Sequence, residues 1–260
     1  MRLLLSFVPL MACVSIAIAE DGFHLYQFPG HHGLPSIADT GFTVHQPDRR
    51  QPERIEPPCI SAEVTVPAPS DAIALFDGTS MDQFQDNQWE FRDGLLIAGK
   101  GGLNTVKAFG DIQMHVEWRT PDPEPNKNKP GSMGNSGIFL MQKYELQVFD
   151  SYSCEIYADG SAGAIYGQSP PLVNVCRRPG QWQSYDIAFT APVFDGETIV
   201  SPARITVFHN GVLIQNNTEI FGPTRHNKAL PYVAHPDKMP VMFQAHGSPV
   251  EYRNIWVRPL

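Results

Sequence analysis

The stretch Ile112-Gln113-Met114-His115-Val116-Glu117-Trp118-Arg119 places an apolar side chain at every second position. That period sets Ile112, Met114, Val116 and Trp118 on one face of an extended chain and Gln113, His115, Glu117 and Arg119 on the other. The pattern predicts a half-buried β-strand. Tyr185 to Phe189 and Ile205 to Phe208 repeat the habit, and Asn210-Gly211 is a two-residue hairpin turn leading into Val212, Leu213 and Ile214. Tyr144 to Phe149 and Arg253 to Val257 add further short strands, and no run between Asp71 and Leu260 offers three turns of amphipathic helix. Turn signals punctuate the same region at Asp77-Gly78, Asp93-Gly94, Asp159-Gly160 and Asp195-Gly196. The fold predicted for residues 71–260 is all-β: a two-sheet antiparallel jelly-roll sandwich of concanavalin or laminin-G type. Pro121 to Gly134, with Met133 as its one apolar side chain, reads as a long loop at the rim.

The segments ahead of this region have a different texture. Arg2, the apolar run Leu3 to Ile18 and the small-x-small pattern Ala17-Ile18-Ala19 predict a signal peptide over residues 1–19. Pro9 interrupts the run, and a membrane anchor needs ~20 apolar residues. The expectation is therefore a periplasmic or secreted protein with no stable membrane insertion once the leader is removed. Residues 20–70 hold eight prolines and no tryptophan, too little apolar surface for a core of their own, and predict an extended tail or linker. His24, His31, His32 and His45 fall here without acidic or cysteine neighbours at ligand spacing, so they read as solvated side chains.

A net charge of -8 gives no footing for a nucleic-acid backbone. After leader removal three cysteines remain, Cys59, Cys154 and Cys176. The last two either form a bridge worth ~3 kcal/mol or stay as buried thiols. No spacing suggests zinc, and Asp150 and Asp159 are too few oxygen donors for calcium, which takes roughly six to eight. No metal or cofactor is expected.

Chemistry is most legible around Asn135 to Asp150. Two adjacent strands, Asn135 to Met141 and Tyr144 to Asp150, would turn Tyr144, Leu146 and Val148 to one face and Glu145, Gln147 and Phe149 to the other. A carboxylate, an amide and a ring on one face suit a sugar, whose hydroxyls need donors and acceptors. Glu145-x-Gln147-x-x-Asp150 is also a degraded form of the Glu-x-Asp-x-x-Glu spacing of sandwich-fold retaining glycosidases, which need two carboxylates ~5 Å apart. An amide at the middle position and a shorter last acid speak against that reaction. A non-catalytic carbohydrate-binding sandwich is the other reading.

Leu75-Phe76-Asp77-Gly78, Asn135-Ser136-Gly137-Ile138-Phe139-Leu140, Tyr144-Glu145-Leu146-Gln147-Val148, Ala164-Ile165-Tyr166-Gly167, Trp182-Gln183-Ser184-Tyr185-Asp186 and Tyr252-Arg253-Asn254-Ile255-Trp256 together resemble the 3-keto-disaccharide hydrolase domain family. The resemblance covers Ala74 to Leu260 and implies a concanavalin-like jelly roll. It implies cleavage of glycosides already oxidised to a ketone at C3: a base removes the acidified C2 proton and the enolate expels the C1 substituent. Such a site needs a base, donors for the C3 oxygen and an acid for the leaving oxygen. By type, Glu145 and His246 suit the base and acid roles, and Arg119 or Arg253 an enolate. Asn135, Gln147, Asp150, Tyr157 and Gln168 complete the candidate substrate-binding set. Where the family reads Gln-Asp-His-Gly, this chain has Gln244-Ala245-His246-Gly247, so the carboxylate beside the histidine is missing.

Overall fold

The computed structural model describes residues 26–58, 65–85, 88–122 and 133–260. The leader candidate, His24, Cys59 and most of the rim loop lie outside the described residues. Two antiparallel sheets form the body of the domain. The larger runs Val212–Glu219, Arg204–His209, Gln183–Thr190, Ile112–Arg119, Glu251–Pro259, Leu95–Lys100 and Gln88–Arg92 in spatial order, with Ile73–Phe76 also paired to Glu251–Pro259. The smaller runs Gly102–Phe109, Met239–Ala245, Ser136–Leu140 and Tyr144–Val148. The architecture is the jelly-roll sandwich expected from the alternating strands. Among the described residues the helical element is a single 3-10 turn, Ala158–Gly160.

The sheets meet through the apolar faces that alternation assigns to them. Trp118, Tyr185 and Phe189 of the large sheet and Ile138, Leu146 and Phe243 of the small one are all buried in one cluster. Phe243 meets Tyr252 edge-on across the layers at 5.3 Å, and Tyr185 donates its hydroxyl to the Gln147 carbonyl at 2.9 Å. That bond matters for function, because it pins the small sheet from behind at the strand bearing Glu145. The hairpin signals behave as their chemistry requires: Asn210 and Gly211 take φ of 50° and 81°, and Asp93 and Gly94 take 53° and 73°.

Ile112–Arg119 departs from the half-buried expectation, since the middle of its polar face is covered too, while Gln113 stays exposed. His115 and Glu117 are buried, His115 stacks on Trp256 at 5.5 Å, and Asn254 and Trp256 both donate to the carbonyl of Val66, which crosses this face. Hydrogen bonds make the burial tolerable. His115 Nδ1 lies 2.6 Å from Asp186, and Glu117 accepts from Arg253 at 2.6 Å and Asn254 at 2.8 Å.

Residues 26–58 have no core of their own, yet they are docked on the domain. Tyr26–Phe28 pairs in parallel with Cys154–Ile156, and Glu53–Arg54 in parallel with Val173–Asn174. Ile37, Val44 and His45 are fully buried. The expectation of a solvated His45 is therefore corrected: its backbone N–H and its Nδ1 both reach the buried Asp159 carboxylate, at 2.9 and 3.1 Å. Of the two readings for the cysteines, Cys154 and Cys176 follow the second and are free, buried thiols.

Candidate functional site

The small sheet supplies the floor of a cavity of about 730 Å³. Antiparallel register places Gln244, Gly137 and Gln147 in one row across three strands, and Met242, Phe139 and Glu145 in the next. Adjacent strands lie ~4.8 Å apart, so Gln244 and Gln147 line the cavity from opposite sides of Gly137. Beyond the edge strand the chain returns irregularly at 163–166. Tyr166 N–H donates to the Glu145 carbonyl at 3.1 Å and Gly163 N–H to that of Gln147 at 2.9 Å, while Gln147 N–H donates to Ala164 at 3.0 Å. These bonds fix Glu145 on both sides, and Thr224 Oγ1 accepts its N–H at 3.0 Å.

Glu145 is the one acidic side chain among the cavity's described lining residues, and it is buried. Removal from water disfavours the charged carboxylate, and burial pushes its pKa from 4.5 up to about 8. Beside it, Gln147 Oε1 is buried with no donor from the protein. An unpaired acceptor in a buried wall costs stability unless a bound molecule supplies a proton. Any hydroxyl or N–H group that enters the cavity meets that need.

A chain of aromatic hydroxyls forms the adjoining wall. Tyr157 and Tyr166 hydroxyls are 2.9 Å apart, and the Tyr166 hydroxyl lies 2.9 Å from His226 Nδ1. Burial raises both phenol pKa values, that of Tyr157 to about 12, so both hydroxyls remain protonated donors at neutral pH. His226 lies at the tip of the Thr224–Arg225 and Lys228–Ala229 hairpin. Partial burial, then the neighbouring histidines 45, 31 and 246, lowers its pKa, which favours the neutral ring. His45 packs behind this wall, 3.9 Å from the Tyr157 ring and 5.1 Å from that of Tyr166.

The structure brings Glu145, His246, Asn135, Gln147 and Tyr157 to this cavity. It does not bring the remaining four candidates there. Arg119 pairs with Glu251 and Arg253 with Glu117, and their guanidinium groups flank Trp182 at 4.6 and 4.1 Å on the large sheet. The lining arginine is instead Arg225 of the hairpin. Asp150 accepts the N–H groups of Tyr152 and Ser153 at 3.1 and 2.9 Å, shaping a turn, and burial raises its pKa to about 6. Gln168 holds the 221–222 backbone, accepting from Phe221 at 2.8 Å and donating to Gly222 at 2.9 Å. Phe149, expected beside Gln147, lies past the strand's end and is buried in the core. Among the described residues no group of three His, Cys, Asp or Glu side chains is arranged to hold a metal ion.

Several lining residues gave no signal in the sequence. Tyr166 lies inside a motif but shows its role only through the bridge to strand 144–148. Arg225 ends a strand of two residues and His226 sits in the turn that follows, too short a stretch for any periodicity. Phe28, Pro29 and His31 come from the proline-rich segment.

Comparison with known proteins agrees with this picture. Residues 71–258 match the profile of the 3-keto-alpha-glucoside-1,2-lyase-like domain. A solved structure from Parabacteroides distasonis ATCC 8503, described as an inferred glycosyl hydrolase, is 40% identical, covers 75% of this chain and 86% of its own, and superposes with a TM-score of 0.70. A second structure of the same description and organism, 20% identical with a TM-score of 0.52 over 73% of this chain and 94% of its own, shares the fold. No curated protein matches the sequence. With the profile spanning residues 71–258 and its motif residues Asn135, Glu145, Gln147 and Tyr166 lining the cavity, the chain belongs to the 3-keto-alpha-glucoside-1,2-lyase-like domain family, also called the 3-keto-disaccharide hydrolase domain.

Proposed function

We propose that the protein cleaves 3-keto-glycosides, including 3-keto-disaccharides, by removing the C2 proton and breaking the C1–O bond. The observation that supports this reading best is Glu145: a buried carboxyl group, rigidly held on a cavity floor, with its pKa raised to about 8. An ordinary carboxylate is a weak base for a proton on carbon. One whose pKa lies near the working pH is stronger while still available in its ionised form. A second carboxylate, which a retaining or inverting glycosidase requires, does not line the described cavity.

In the first step Glu145 takes the C2 proton and the electron pair moves into a C2–C3 double bond, leaving negative charge on the C3 oxygen. Asn135, Gln147, Gln244 and the cation of Arg225 are the lining groups suited to oppose that charge. In the second step the C3 carbonyl re-forms, a C1–C2 double bond appears, and the C1–O bond breaks. The leaving oxygen takes a proton from His246 or from the Tyr166 hydroxyl. Water adding at C1, with a proton returned to C2, then gives the free 3-keto-sugar. The protein is exported, which matches a leader of the kind read at residues 1–19.

Incubation with 3-keto-trehalose and with methyl 3-keto-glucoside, following the released 3-keto-glucose by chromatography, tests the proposal. Binding without release would support the second reading, a carbohydrate-binding module. That reading is favoured by Ala245, which leaves His246 without an adjacent carboxylate.

A further inference from the structure

We infer that the segment ahead of the family domain is a fixed wall of the saccharide site, with Phe28 and His31 in contact with the bound sugar. The inference rests on reading the cavity as a saccharide site but not on the cleavage step. The family match begins at residue 71, yet Phe28, Pro29 and His31 line the same cavity as Glu145.

The wall is built to stay in place. Phe28 is the last residue of a parallel ladder in which it faces Ile156, so the chain passes beside Tyr157 as it leaves the ladder. Gly30 then crosses the backbone of His45 so closely that a Cβ at Gly30 would lie 1.9 Å from the His45 carbonyl oxygen. Only glycine fits there. The next N–H, that of His31, donates to the same carbonyl at 2.8 Å. His45 is anchored in turn by its two contacts to Asp159, and Ile37 and Val44 bury the loop between. Phe28 is therefore held by a ladder before it and a latch after it. A half-buried ring fixed in this way is suited to the apolar C–H face of a pyranose, with little ordering cost on binding. His31 stays exposed at the rim, with ring nitrogens available to sugar hydroxyls.

Gln27 supplies the control, because it is exposed on the same short strand and does not line the cavity. Calorimetric titration with 3-keto-trehalose is made on the full chain carrying Glu145→Gln, so that binding is read without turnover. Adding Phe28→Ala is expected to raise Kd about tenfold, and adding His31→Ala about threefold, within the range of one exposed hydrogen bond. Gln27→Ala should change it by less than a factor of two. His31→Ala changes an exposed side chain, so it reports on contact even where Phe28→Ala loosens the ladder. Unchanged Kd in both wall variants overturns the inference whatever the wild type cleaves. If the wild type releases no 3-keto-glucose but the wall variants still weaken binding, the cleavage reading fails and the wall stands. If no saccharide binds at all, both fall.

Discussion

The carboxyl group of Glu145 occupies the space that a side chain at Gly137 would take: a Cβ built there would lie 2.4 Å from Glu145 Oε1. Gly137 is the diagonal neighbour of Glu145, two residues from its direct partner Phe139, and lies opposite Gln147 on one side and Gln244 on the other. Its missing side chain lets the carboxyl lie flat on the sheet in the middle of the floor. Gly137→Ala should therefore displace the carboxyl and lower turnover of a 3-keto-glycoside on the order of 100-fold, the scale of a misplaced general base. Far-UV circular dichroism should remain that of the wild type, since the backbone at Gly137 is not in the left-handed region.

Glu145 is protonated below about pH 8 and ionised above it. As the base it works only when ionised, so kcat/KM should rise with pH through this range and level off above it. Glu145→Gln should lower turnover on the order of 100-fold or more and abolish that rise. A rate that instead falls as pH passes 8 would assign Glu145 the acid's role.

The leaving-group proton separates two donors. His246→Ala should lower turnover on the order of 100-fold if the histidine at the rim supplies it, whereas Tyr166→Phe should do so if the hydroxyl chain does. Substrates with a good leaving group, such as nitrophenyl 3-keto-glucoside, need no acid and should recover most of the loss in the variant that removes the donor. Ala245→Asp restores a carboxylate beside His246 and should raise activity if the family's arrangement is used here.

Asp159 is a buried carboxylate whose partners come from the N-terminal segment: His45 at 2.9 and 3.1 Å, and Arg49 at 3.9 Å. His45→Ala removes the ring contact and leaves space behind Tyr157. Denaturant unfolding should show a loss of about 2 kcal/mol, the usual cost of a buried acceptor left short of a donor. Turnover should fall as well, because Tyr157 loses its packing partner.

His115 sits far from the cavity and governs stability. Burial alone would lower its pKa, but hydrogen bonds to Asp186 and Glu117 outweigh burial and raise it from 6.5 to about 9. The sign follows from linkage: this stabilisation is complete below about pH 6.5 and is lost as pH rises through 9. Thermal unfolding of the wild type should show Tm falling across that interval, and His115→Gln should flatten the fall. An equal fall in the variant would place the titration elsewhere.

The sandwich was legible in the sequence because burial between two sheets imposes period two on strands such as 112–119 and 185–189. Glu145 and Gln147 were legible for the same reason, since alternation against Tyr144, Leu146 and Val148 sends them to the open face. Arg119 and Arg253 misled because alternation gives a face but not which sheet or which side. Both belong to the large sheet, where Glu117 and Glu251 already neutralise them. His45 was unreadable on any local pattern, as its partner Asp159 is 114 residues away. Hairpins of two-residue strands, such as the one carrying His226, have no period to detect.

That long separation has a consequence for assembly. Residues 26–58 find their places against positions beyond 150, in ladders at 154–156 and 173–174 and in the latch at Asp159. Contacts that close large loops cost the most chain entropy and form only when the rest of the structure is present to reward them. The N-terminal segment emerges first during synthesis and is expected to settle last. Refolding followed by Trp fluorescence should thus finish ahead of the recovery of sugar binding, with the cavity gaining its final wall only after the sandwich has formed.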